Sequence, residues 1–80
     1  MNISLEISYY PLDSNSHQAI KKFIDMLNES KLFKISVQPM STLIYGKYDD
    51  ILPFLSDKMK QIMSEYPSIF VLKISNACPV

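Results

Sequence analysis

Glu6 and Lys73 are the oppositely charged pair on which a binding reading of this 80-residue chain would rest. Each lies in a run of alternating apolar and polar residues. If the two runs pair as strands, carboxylate and ammonium meet on one sheet face. As a plain surface ion pair they contribute about 0.2–1 kcal/mol. In a partly covered groove, the same carboxylate is available to a cationic or nitrogen-rich ligand. Ser4, Ser8 and Tyr10 share its strand face and can hydrogen-bond such a ligand, or simply form a solvated face. The chain holds five tyrosines. Tyr10 and Tyr45 could stack on a flat ring, or pack as amphipathic interface residues. Ser41 and Thr42 could cap the turn after Pro39 or offer hydroxyls to a ligand. Alternation puts these two on opposite faces, so at most one reaches an open groove. With Leu43 taken as the buried residue, that one is Thr42.

Chemistry beyond binding finds little support. His17, the only histidine, has no nucleophile paired to it by motif, and a single glycine cannot build a glycine-rich phosphate loop. Cys78, the only cysteine, reads as an exposed or partly covered thiol in a reducing compartment. A metal site is not expected on ligand count, and no cofactor is expected. A small enzyme using His17 or Cys78 is the weakest reading. The net charge is zero, with eight acids balanced by eight bases, all lysine. Nucleic-acid binding usually brings a basic excess and arginine forks, so no nucleic-acid partner is expected. The N-terminus shows no secretory pattern, and no apolar run approaches the roughly 20 residues of a membrane span. A cytoplasmic protein without a membrane partner is expected.

The elements that must position these side chains follow from periodicity. Residues 2–10 alternate, with Ile3, Leu5, Ile7 and Tyr9 on one face, and Pro11 ends the run. Asp13 to Ser16 is turn and N-cap chemistry. The period becomes helical from His17 to about Lys31, with Ile20, Phe23, Ile24 and Leu27 as its apolar stripe, and Asn28 to Lys31 fades into a loop. Lys34–Gln38 and 41–46 form an antiparallel hairpin around Pro39. Gly46 closes it, where the backbone needs φ > 0 or close approach. Asp49 and Asp50 start a second helix, with Pro53 in its first turn and Leu52, Leu55, Met59, Ile62, Met63 and Tyr66 as its buried stripe. Pro67 stops it. Residues 69–75 form the last strand, with Phe70, Leu72 and Ile74 toward the core, and 76–80 are a loose tail.

This order, β-α-β-β-α-β, predicts one α+β domain over residues 1–80 with a ferredoxin-like four-stranded antiparallel sheet and two helices on one face. The first strand is central, beside the third and fourth. The uncovered face carries Ser4, Glu6, Ser8, Tyr10, Ser36, Gln38, Ile69, Val71 and Lys73. That mixed face suits packing on a second sheet with polar groups trapped between. Hydrophobic residues make up 48% of the chain, rich for a lone small domain, so a homodimer or homotetramer is expected.

Two runs carry a family resemblance. Ile7-Ser8-Tyr9-Tyr10-Pro11-Leu12, followed by Met40-Ser41-Thr42-Leu43-Ile44-Tyr45-Gly46-Lys47-Tyr48-Asp49, resembles the thiamine-binding YkoF-like family in its single-domain branch. Val71-Leu72-Lys73-Ile74 and Glu6 resemble its last and first strands. The resemblance implies a ferredoxin-like fold that binds thiamine or its hydroxymethylpyrimidine part, without catalysis. Better-described members carry two such domains in one chain, so self-association would supply the second unit here. An aminopyrimidine needs paired donors and acceptors and an aromatic wall. The thiazolium needs a carboxylate or a ring face. The candidate ligand-binding set is therefore Glu6, Ser8, Tyr10, Ser41, Thr42, Tyr45 and Lys73. The alternative is a structural or regulatory interaction module whose open sheet face is only a subunit interface.

Overall fold

Strict alternation in the first ten residues makes β1 (Asn2–Pro11) in the computed structural model, which describes residues 1–12 and 14–77. Asp13, Cys78, Pro79 and Val80, and the turn, thiol and tail readings that fall on them, lie outside the described residues. Ile3, Leu5 and Ile7 are buried on one face of β1. Pro11 is included as the last strand residue, opposite Ser68. A proline at the strand end forgoes little, and the Leu12 amide donates to the Pro67 carbonyl at 2.9 Å.

Helix α1 (Ser16–Leu27) ends before Asn28, where the helical pattern fades into a loop. Its buried stripe is Ala19, Phe23, Met26 and Leu27, turned from the expected one. Ile20 is 41% exposed and Ile24 half-buried. The helix is apolar over a wide arc, and the sheet chose which part to cover; Ala19 is small enough for close approach. The hairpin joins β2 (Lys34–Val37) to β3 (Thr42–Lys47). The Gln38 amide donates to the Ser41 carbonyl at 2.8 Å to close the turn. Gly46 does not adopt positive φ. Close approach explains it instead, because a Cβ there would stand 2.6 Å from Phe33 Cβ.

Helix α2 (Tyr48–Glu65) starts earlier than predicted, with Lys47 at the N-cap position. Asp49 and Asp50 sit in the first turn, where their charge favours the helix dipole rather than capping it. Pro53 is consequently the sixth helical residue, past the first turn, and leaves the carbonyl of Asp49 without its helical donor. Ile51, Leu55 and Ile62 are fully buried, with Leu52, Phe54, Met59 and Tyr66 packed against them. Met63, expected in the stripe, is 54% exposed, and Ile51 takes a core place the pattern did not assign. On β4 (Ser68–Ser75), Phe70 and Leu72 pack on the core, whereas Ile74 stays largely exposed at the sheet edge.

The sheet order is β2-β3-β1-β4, all antiparallel, and the fold is ferredoxin-like βαββαβ. The core lies between the sheet and the helix pair. At one end Tyr9 stacks on Phe70 (4.5 Å, 13°) and meets Phe23 edge-on (5.4 Å, 66°). The Tyr9 hydroxyl shares a 2.9 Å hydrogen bond with Ser68 Oγ. Among the described residues, no helix is long and apolar enough to cross a membrane.

Candidate functional site

Residue parity along β3 decides which hydroxyl meets which surface. Ile44 is fully buried, and Leu43 lies on the other face. Thr42, two residues from Ile44, therefore shares the helix-covered face and is only 6% exposed. Ser41 and Tyr45 go with Leu43 to the open face. The assignment of Thr42 to the open groove is thus reversed. Leu43 and Ile44 are both apolar and adjacent, so alternation alone could not choose between them.

On the open face, Glu6 is the hub. It sits opposite Leu43 on β3 and Lys73 on β4. Its Oε1 lies 3.7 Å from Lys73 Nζ, and its Oε2 accepts from Ser41 Oγ at 3.2 Å. The carboxylate thus splits between a loose ion pair and one hydroxyl, leaving acceptor capacity free. Ser8 is two residues along the same face, opposite Val71. The two tyrosines stand toward opposite ends of this face. Tyr45 lies opposite Ser4, and Tyr10 lies opposite Ile69. Along β1 that separation is six residues, roughly 20 Å at about 3.4 Å per residue, too far to clamp one ring between them. Tyr10 (50% exposed), Ile69 (48%) and Val71 (47%) instead make an apolar corner.

Thr42 lines a crevice of about 130 Å³ between α1 and the β2–β3 turn. Ile7, Tyr9, Phe23, Ile20, Ile24, Val37 and Met40 supply its walls, and Gln38, Ser41 and Thr42 its polar atoms. An apolar cavity of about 150 Å³ accepts benzene, so this space suits one six-membered ring. The Thr42 hydroxyl has no hydrogen-bond partner among the described residues. Ser41 belongs to both surfaces, lining the crevice and bonding Glu6. Pattern reading assigned Ile20 and Ile24 to the core and gave Gln38 and Met40 no site role. The signal that could have found them is an apolar arc on α1 wider than a sheet can cover.

The family model for thiamine-binding proteins matches residues 5–76, nearly the whole chain and both motif runs. The chain belongs to the thiamine-binding protein family. No curated protein sequence matches it. Among solved structures, a Streptococcus pneumoniae protein superposes with a TM-score of 0.89 at 20% identity, over 98% of this chain and 89% of that one. A Thermotoga maritima protein of proposed thiamine biosynthesis or salvage role gives 0.83 at 17% identity, over 94% and 83%. A Methanocaldococcus jannascii protein gives 0.81 at 21%, over 99% and 84%. At such identities the likeness is one of fold.

Proposed function

We propose that this protein binds thiamine, or its hydroxymethylpyrimidine part, without transforming it, and seats the pyrimidine ring in the Thr42 crevice. The observation that carries the reading is a residue only 6% exposed whose hydroxyl, without a hydrogen-bond partner among the described residues, stands on the wall of a ring-sized, largely apolar space. A polar group left so is stabilised by a ligand that supplies its missing bond. Membership of the thiamine-binding family names the ligand class. Thr42, Ser41 and Gln38 offer hydroxyl and amide groups that match ring nitrogens and an exocyclic amine. Tyr9 and Phe23 supply aromatic wall. Glu6, bonded to the crevice residue Ser41, offers a carboxylate for the thiazolium charge. Ser8 and Lys73 flank it on the open face.

A second copy completes the arrangement, as a homodimer or homotetramer packed on the open sheet face. The apolar corner of Tyr10, Ile69 and Val71 next to the Glu6–Lys73 pair supports this, and Tyr10 and Tyr45 then serve the interface or cover a ligand beside it. The same corner is the observation that favours the alternative, an interaction module with no small-molecule ligand.

Calorimetric titration with thiamine, hydroxymethylpyrimidine and thiamine diphosphate, paired with sedimentation velocity, tests both. Saturable heat with a shared pyrimidine requirement is expected. A well-folded dimer that gives no heat and no thermal stabilisation with any of the three overturns the binding reading in favour of the module.

A further inference from the structure

At the opposite end of the β2–β3 hairpin from the crevice lies a second hollow of about 500 Å³. Its volume falls within the roughly 300–1,000 Å³ of small-molecule sites. Four of the eight lysines are committed to carboxylates: Lys21 to Asp25, Lys22 to Glu65, Lys58 to Glu29 and Lys73 to Glu6. Lys31, Lys34, Lys47 and Lys60 have no ion pair among the described residues. Three of those four, Lys31, Lys34 and Lys47, line this one hollow. They come from three different places: the loop after α1, the first residue of β2 and the last residue of β3.

We propose that this hollow binds the phosphate group of a small phosphate-bearing molecule. Three lysines and one acidic residue, Asp50, line the hollow. In a chain of zero net charge, that leaves a local positive excess which concentrates anions. The floor is firm, because Phe33 is buried and locked against Gly46, and Tyr45 gives a half-buried ring beside Lys34, its cross-strand partner. Lysine binds phosphate as a point charge without a fixed fork, so it suits a phosphate whose remaining part varies. Asp49 and Asp50 offset the positive end of α2, so the attraction is the lysines' own. The reading is independent of the crevice, which shares no lining residue with the hollow.

Amide-resolved NMR titration with sodium diphosphate, inorganic phosphate and a polyglutamate peptide, at fixed ionic strength, tests it. Diphosphate should give saturable shifts at Phe33, Lys34, Gly46 and Lys47, and bind more tightly than phosphate. A Lys34→Ala, Lys47→Ala variant should bind diphosphate about tenfold or more weakly, while Lys60→Ala should leave it unchanged. An unaltered melting temperature in the double variant separates lost binding from lost fold. No saturable shift by about 10 mM diphosphate, far above micromolar affinity, overturns the proposal. So do equal shifts in the double variant, or tighter binding by the acidic peptide.

Discussion

Gly46 and Phe33 approach so closely that the glycine's missing side chain is itself the packing feature. A Cβ on Gly46 would stand 2.6 Å from Phe33 Cβ and 3.3 Å from its Cα. The contact joins the end of β3 to the residue before β2, and so fixes the open end of the hairpin. Gly46→Ala should therefore destabilise the fold by about 1–3 kcal/mol through overpacking, although the backbone φ accepts alanine. Urea unfolding measures it. Stabilisation, the usual result where alanine fits, would contradict the close approach.

Thr42→Val separates binding from stability. Valine keeps the branched shape and removes a hydroxyl that has no partner among the described residues. Stability should hold, since the hydroxyl makes no hydrogen bond among the described residues that the fold would lose. Pyrimidine binding should weaken by about 2–12-fold, the equivalent of about 0.5–1.5 kcal/mol for one hydrogen bond. Calorimetry on the variant reads the second effect and thermal melting the first. Unchanged affinity would move the ligand away from this crevice.

Glu6 and Lys73 should contribute little to the isolated fold. Their 3.7 Å contact is exposed at the lysine, whose side chain is 79% accessible. A double-mutant cycle with Glu6→Gln and Lys73→Met should give a coupling of about 0.2–1 kcal/mol, falling with added salt. A much larger coupling would indicate that a second copy or a ligand desolvates the pair.

Leu55→Ala should cost about 2–5 kcal/mol, since Leu55 is fully buried between helix and sheet. Against a typical total of about 5–15 kcal/mol, that brings so small a domain near unfolding. Met63→Ala, on the same helix but exposed, should stay within about 0.5 kcal/mol. Parallel denaturant curves compare the two.

Some of this was legible in the letters. Ile3, Leu5 and Ile7 alternate with polar residues, so the face of β1 was never ambiguous, and Glu6 could be placed against Lys73 before any coordinates. The element order, the hairpin and the sheet topology followed, because prolines and polar clusters punctuate every joint. The motif runs led to the family for the same reason: residue order along a chain is what a family shares.

Tertiary structure alone decided the rest. Leu43 and Ile44 are equally apolar neighbours, and only packing against the helices chose Ile44, which carried Thr42 inward and Ser41 outward. The wide apolar arc of α1 likewise fits several stripes. Contact with the sheet selected Ala19, Phe23, Met26 and Leu27, and left Ile20 and Ile24 to wall a crevice. Periodicity fixes the spacing of a buried face but not its rotation or parity. Those depend on what lies opposite, which only the folded chain specifies.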